Sequence, residues 1–262
     1  MGIKEENSRR SFFVGLCVMV LLSACGKQKK QQEMPSFADL KTKAMTAIES
    51  KKTEYAIAHL EQLIAQYPEN KDVFEYKLML ADLYLKAGRL DASYKLYRNY
   101  SKMYPSDAKA EYATYKAILS KFYQTLKVSK KCDDTDAHKT MKRCKQYLET
   151  PTYRQYRADV RDIHYTCERR LIDKEVYVFN TYLRLKQFQS AQNRIDNLRT
   201  KFSEKHPSLE AHLLYLEGRL AQKQDKKDVV QERVEKLLAE HPESQYTRMA
   251  QGLVSRKREF TL

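Results

Sequence analysis

The side chains in this 262-residue chain that are best suited to chemistry are three cysteines and two histidines near its middle. They are Cys132, His138, Cys144, His164 and Cys167. Structural zinc sites use ligand pairs separated by roughly two to five residues, and these spacings do not match that pattern. No Walker loop, nucleophile elbow, HExxH motif or CxxC pair occurs elsewhere in the sequence. We therefore predict that the chain holds no metal or cofactor and is not an enzyme.

The first 25 residues have the features of a bacterial lipoprotein signal peptide. Lys4, Arg9 and Arg10 give a basic start, and the apolar run that follows is shorter than the roughly 20 residues of a transmembrane helix. The run ends in Leu-Ser-Ala-Cys at 22–25, which resembles the lipobox whose cysteine receives a diacylglycerol thioether and an N-acyl chain. We predict that the mature chain begins at a lipidated Cys25. An ordinary signal peptide with an incidental cysteine is the alternative.

The residues that flank Cys25 predict where the lipid takes the protein. Gly26, rather than an aspartate, follows the cysteine, and this resembles the signal for transfer to the outer membrane. Residues 26–35 are polar and basic, so we predict a flexible tether. The expected location is the periplasmic face of the outer membrane, held by lipid. The arginine pair at 9–10 fits a twin-arginine export motif as well as a general basic start, and both routes remain open.

Residues 36–262 are predicted to form an all-α, tetratricopeptide-like solenoid. In Leu80–Pro105, two apolar stripes at helical spacing are separated by Gly88 and closed by a proline, which is typical of a tetratricopeptide hairpin. The same interval of 24 residues, from a small residue to a closing proline, recurs at Ala44–Pro68 and Gly218–Pro242. One hairpin cannot bury its apolar faces alone, so neighbours must stack on it. We predict about five hairpins, at about residues 37–68, 74–105, 110–151, 153–205 and 209–242, followed by a basic cap.

Export to an oxidising compartment bears on the three cysteines outside the signal peptide. Folding the third hairpin about Pro151 places Cys167 opposite the loop that contains Cys132. Cys144 is on a helix, about 10 Å from that point, and the usual Cα–Cα limit for a disulfide is about 7 Å. We predict that Cys132–Cys167 is favoured over Cys144–Cys167. Three free, buried thiols are the alternative.

The formal net charge of +15 limits the partners. In a cytosolic protein this charge would suggest nucleic acid. Because the signal peptide predicts export, we predict no nucleic acid. A basic surface beside acidic envelope partners or anionic lipid explains the charge.

A lipobox, a short tether, five repeats and an insertion that opens the third repeat resemble the BamD-type (YfiO or ComL) lipoproteins of the outer-membrane β-barrel assembly machinery. The local matches are Leu60–Pro68, the acidic insertion at 133–135, and Gln-Asn-Arg-Ile at 192–195. The resemblance implies that the first half binds the C-terminal signal of unfolded outer-membrane proteins. It also implies that the second half docks the periplasmic domains of the barrel insertase. Arg194 matches the arginine that faces that partner.

The helical register predicts which residues line the concave, client-binding face of such an array. The first helix of each hairpin lines this face and presents it to an extended or helical peptide. A scaffold for another envelope assembly, such as a pilotin or an envelope-division factor, is the alternative function. The predicted client-binding residues are Lys41, Met45, Ile48, Glu75, Leu78, Asp82, Leu85, Tyr115, Leu119 and Phe122.

Overall fold

A computed structural model of the chain describes residues 34–127 and 135–255. These residues form eleven α-helices and no strand, which confirms the predicted all-α fold. None of the described helices is long and apolar enough to cross a membrane. The helices are α1 (Phe37–Glu49), α2 (Thr53–Gln66), α3 (Val73–Lys86), α4 (Leu90–Met103), α5 (Ala110–Lys127), α6 (Thr135–Glu149), α7 (Arg157–Arg184), α8 (Phe188–Phe202), α9 (Leu209–Lys223), α10 (Lys227–Glu240) and α11 (Gln245–Ser255).

Four of the hairpins share one turn geometry. A single residue with positive φ ends the first helix in each: Lys51 (57°), Gly88 (73°), Lys186 (57°) and Asp225 (59°). The amide after it donates to a carbonyl five residues back, for example Arg89 N to Tyr84 O at 2.8 Å. This is the Schellman arrangement, which satisfies carbonyls that the helix end leaves free and reverses the chain within about three residues. Only one of the four positions is a glycine; positive φ is strained for lysine, whereas aspartate adopts it more readily.

Small residues allow neighbouring helices to approach closely, both within a hairpin and between hairpins. Ala44, Ala56, Ala81 and Ser93 have no exposed surface, and the Ser93 hydroxyl lies 2.6 Å from the Ser120 hydroxyl across α4 and α5. At Gly218, an added Cβ would lie 3.2 Å from the Leu253 side chain of α11. Consecutive helices pack on one another from α1 to α11, so the core runs along the stack as connected clusters. This is the organisation of a repeat protein, in which each unit is stabilised by its neighbours.

The largest core cluster joins the third and fourth hairpins and contains two of the cysteines. Cys144 on α6 and Cys167 on α7 are fully buried free thiols. The pKa of each is raised to about 12, mainly by burial; for Cys144 the neighbouring Cys167 contributes to the same shift. The thiolate is the reactive form, so both thiols are poor nucleophiles. This geometry agrees with the alternative of free, buried thiols for these two residues. Cys132, the other half of the favoured bridge, lies outside the described residues.

Candidate binding face

The candidate functional site is the surface formed by α1, α3 and α5, the first helices of the first three hairpins. We call this surface the client face. Nine of the ten residues predicted for it are exposed or half-buried, and the tenth is buried. The exposed residue is Lys41; the half-buried ones are Met45, Ile48, Glu75, Asp82, Leu85, Tyr115, Leu119 and Phe122.

Leu78 is a correction to the predicted face. Its side chain is only 6 % exposed, because it packs in the core with Ala81 of its own helix and Tyr94 and Tyr97 of α4. The accessible position one residue later is Met79, which is 36 % exposed. In a helix, positions separated by three and four residues share a face, so Met79 lies beside Asp82. Leu78 is therefore a core residue, whereas Glu75 and Asp82 on the same helical stripe are half-buried.

Asp82 is the polar centre of the client face. The hydroxyls of Tyr97 and Tyr112 both donate to its Oδ1 atom, each at 2.5 Å. Tyr97 is fully buried, and burial followed by the bond to Asp82 raises its pKa far above the usual value. The same two causes, in the same order, raise the pKa of Tyr112. Both phenols therefore remain protonated donors, and they fix the position of a half-buried carboxylate between α3, α4 and α5.

An aromatic surface continues from Asp82 along α5. The Tyr115 ring stacks on Tyr156, with centroids 4.3 Å apart and planes 3° from parallel. The Lys116 ammonium lies 5.3 Å from the Tyr112 ring centroid and 6.0 Å from that of Tyr115. Rigid aromatic rings beside one cation suit a segment that mixes aromatic and acidic groups, because rings bury apolar area at a small loss of conformational entropy.

The apolar residues of the client face combine packing with exposure. Leu119 and Phe122 of α5 are half-buried and pack against the large core cluster. Met45 and Ile48 of α1 do the same against the first cluster. Each has one side committed to the fold and the other open to solvent, so a ligand would meet an apolar floor that is already fixed in place.

Exposed ion pairs link neighbouring segments of the first three hairpins. Glu75 of α3 lies 3.4 Å from the Lys109 ammonium, which precedes α5. Arg89 pairs with Glu54 and lies 3.7 Å from Glu61. These pairs are exposed and contribute little stability, about 0–1 kcal/mol each. They leave the centre of the face to Asp82 and the aromatic rings.

Sequence reasoning missed four residues of the client face: Met79, Tyr112, Lys116 and Tyr156. Met79 lies four residues after Glu75 on α3, and Tyr112 lies three residues before Tyr115 on α5, so helical spacing could have found both. Tyr156 lies before α7, outside the first helices, and comes beside Tyr115 only through the fold of the third hairpin.

Arg194, the residue predicted to meet a partner, lies on α8 in the second half of the chain. Its guanidinium is 3.4 Å from Glu175 of α7 and 5.9 Å from the Tyr182 ring centroid, and the side chain is 31 % exposed. An arginine held in this way between two helices presents a fixed edge to solvent.

The histidines of the central cluster of chemically active residues do not converge on its cysteines. His164 of α7 lies 3.6 Å from the buried carboxylate of Glu168, which also has His206 at 3.2 Å and the Lys205 ammonium at 3.7 Å. His138 is exposed on α6. Within residues 34–127 and 135–255, no three His, Cys, Asp or Glu side chains are grouped as metal ligands.

The stack of helical hairpins from α1 to α10, closed by α11, is a tetratricopeptide-like fold. The sequence profile of the YfiO family, described as an outer membrane lipoprotein, matches residues 35–224. The chain belongs to this family and is therefore an outer-membrane-associated lipoprotein of the BamD type.

Comparison with solved structures gives only distant similarity. PilW, described as a widely conserved type IV pilus biogenesis factor, is 15% identical, with a TM-score of 0.34. That match covers 82% of this chain and 98% of PilW. The Assembly Chaperone of RpL4 (Acl4) is 12% identical, with a TM-score of 0.27, over 83% of this chain and 95% of that structure. No curated protein sequence matches this chain.

Proposed function

We propose that this protein is a scaffold of the β-barrel assembly machinery, anchored to the periplasmic face of the outer membrane. The observation that carries the proposal is the family match over residues 35–224, which includes the client face and Arg194. In this proposal α1, α3 and α5 bind the C-terminal segments of unfolded outer-membrane proteins, and α7 and α8 dock the periplasmic domains of the insertase.

The anchor in this proposal is the lipid on Cys25, with residues 26–35 as the tether. Several acyl chains at about 0.8 kcal/mol per buried CH₂ give stable membrane attachment. The helical domain then needs no membrane contact of its own.

The client face fits the C-terminal segment of an outer-membrane protein because such segments are apolar, aromatic and extended. Met79, Leu85 and Leu119 offer apolar contact, and Tyr115 offers a stacking surface. Lys116, held over two rings, can meet a terminal carboxylate. Such a mixture of adaptable methionine and fixed aromatic groups suits binding of many related sequences.

Site-specific photocrosslinking tests the client face with a matched pair of methionines. A photoreactive residue replaces Met79 of α3 in one protein and Met103 of α4 in the other. Met103 is more exposed, at 68 %, but lies on a second helix. We expect a C-terminal peptide of an outer-membrane protein to crosslink at position 79 and not at 103. Crosslinking at 103 alone would show that the peptide binds elsewhere.

A charge substitution gives an independent measurement. Leu85→Glu should weaken peptide binding about tenfold or more, because burying an unpaired carboxylate against an apolar ligand is unfavourable. Leu238→Glu is the matched control, since Leu238 is 44 % exposed on α10, far along the chain. Fluorescence anisotropy with a labelled peptide measures both, and circular dichroism verifies folding. Equal affinities for the two variants would contradict the assignment of the client face.

The proposed role of the second half has its own test. Arg194→Glu should weaken binding of the insertase periplasmic domains, since it reverses the charge beside Glu175. Peptide binding at the client face should be unchanged. Co-purification from detergent-solubilised envelopes measures insertase binding, and fluorescence anisotropy measures peptide binding. Retained insertase with the variant would argue against docking at α8.

A further inference from the structure

A small cavity lies on the opposite side of α5 from the client face. Helices α4 and α6 both pack on α5, and the space between them is a cavity of about 110 Å³. Its polar lining includes Arg98, Thr114, Arg143, Gln146 and Tyr153. No acidic side chain is among the lining residues that the structure describes. The cavity is thus positively charged and rich in hydrogen-bond donors.

Arg143 is held rigidly at this cavity. Its guanidinium carbon lies 5.0 Å from the centroid of the Tyr94 ring of α4. The Nε atom is buried from solvent and makes no hydrogen bond. A buried donor on a charged group is unfavourable without an acceptor, so this nitrogen is a place where a ligand atom would be stabilising.

Comparison with two other arginines shows what Arg143 lacks. Arg194 and Arg233 also have a buried Nε without a hydrogen bond. Arg194 has the carboxylate of Glu175 within 3.4 Å, and Arg233 has Glu217 within 2.7 Å. Arg143 forms no ion pair with any residue in the described ranges 34–127 and 135–255. Among the described residues, Arg143 therefore differs from Arg194 and Arg233 in having no carboxylate within ion-pair distance.

Neighbouring groups complete the set of donors. Arg98 of α4 is half-buried and lines the same cavity, so its guanidinium is within reach of a ligand bound there. The Tyr153 hydroxyl lies 3.3 Å from Thr114 Oγ1, a distance long enough for the phenol to turn toward a better acceptor. Gln146 is exposed at the rim and can add an amide N–H. Two guanidinium groups, a phenol and an amide form the donor pattern that proteins use for oxyanions.

We propose that this cavity binds a small oxyanion of phosphate type, with Arg143 and Arg98 as its main ligands. At about 30 Å³ of liquid volume per water, the cavity has room for about three or four waters or for one tetrahedral oxyanion. A free phosphate and a lipid phosphate headgroup share this chemistry. The inference is independent of the proposed scaffold function, since it concerns the surface away from the client face.

The test is isothermal titration calorimetry of the detergent-solubilised full-length protein with inorganic phosphate. Chloride keeps the ionic strength constant. We expect one saturable site per chain, with affinity reduced tenfold or more in Arg143→Gln and in Arg98→Gln. Arg161→Gln is the matched control, because Arg161 is an exposed arginine of α7 that does not line the cavity. Circular dichroism verifies each fold, and Arg98→Gln decides the result if loss of the Tyr94 contact unfolds Arg143→Gln.

The source of the oxyanion is distinguished by competition. Short-chain phosphatidylglycerol, below its critical micelle concentration, is added to the titration. Loss of phosphate binding in its presence assigns the site to a lipid headgroup, and unchanged binding assigns it to free phosphate. The proposal would be overturned if phosphate gave no more heat than chloride and the short-chain lipid did not bind either. Equal losses in all three arginine variants would also overturn it, since they would show general charge attraction.

Discussion

His212 should make the C-terminal end of the domain sensitive to acid. It lies on α9 and stacks on Tyr246 of α11, with centroids 4.1 Å apart and planes 7° from parallel. Burial lowers its pKa from 6.5 to about 4; the positive charges of Arg169 and Arg219 add to the lowering, and Asp173 opposes it. Because the pKa of His212 is lower in the folded chain, the histidine binds a proton more readily when the chain is unfolded. Its stabilising contribution is therefore complete above pH 6.5 and is lost as the pH falls to about 4.

The expected loss of folding stability follows from the lowered pKa of His212. Each pKa unit corresponds to about 1.4 kcal/mol, so protonation of His212 should remove about 3 kcal/mol of stability between pH 6.5 and 4. Urea unfolding at several pH values, together with hydrogen exchange of α11, measures it. His212→Phe keeps a ring on Tyr246 but cannot be protonated, so it should lose this part of the pH dependence. His59→Phe, on α2, should keep it. The same slope between pH 6.5 and 4 in the wild type and in His212→Phe would refute the reasoning.

Three further predictions concern the client face, the hairpin turns and the lipid anchor. Tyr97→Phe should lower the free energy of unfolding by about 1–3 kcal/mol, because it removes the hydrogen bond from a buried phenol to the Asp82 carboxylate. Tyr112→Phe, which removes a half-buried phenol from the same oxygen, should lower it less. Equal urea midpoints for the wild type and Tyr97→Phe would contradict the prediction. Gly88→Val should lower the free energy of unfolding by at least about 1 kcal/mol, because the φ of 73° at this position is strained for a residue with a side chain. Lys51→Gly, at the equivalent turn, should leave the thermal midpoint unchanged or raise it. A Gly88→Val protein that melts like the wild type would argue against a strained turn. Cys25→Ser should leave unprocessed precursor in the inner-membrane fraction, or soluble protein, and fractionation with outer membranes at unchanged mobility would show that Cys25 is not the anchor.

The repeat pattern could be predicted because it is local. A small residue, a turn and a closing proline lie at fixed intervals along the chain, and the helices between them bury the small residues at Ala44 and Ala81. The turn itself was predictable only at Gly88. Lys51 and Lys186 adopt the same conformation, but lysine gives no local indication of positive φ, and the neighbouring helices impose it.

The client face was harder to predict, because exposure depends on how many neighbours cover a helix. Helix α3 packs on α2 and α4, and six of its side chains are buried, so little of its circumference is open. On such a helix a register error of one residue, about 100° of rotation, moves a prediction from the surface into the core. Leu78 lies in the core, whereas Met79, the next residue, is exposed. The position of Asp82 was predicted, but its two phenol donors come from α4 and α5 and required the fold.

The end of the domain shows how a stack of hairpins is closed. The family match stops at residue 224, one residue after α9 ends. Yet α9 buries side chains on nearly all sides, and Ala211 and Leu214 face a cluster that contains Leu237 of α10 and Ala250 of α11. Without these two helices that surface would be exposed to water, which a repeat array avoids by means of a terminal cap. The helices beyond the family match are therefore part of the folding unit, and the contact between His212 and Tyr246 couples the stability of this cap to pH.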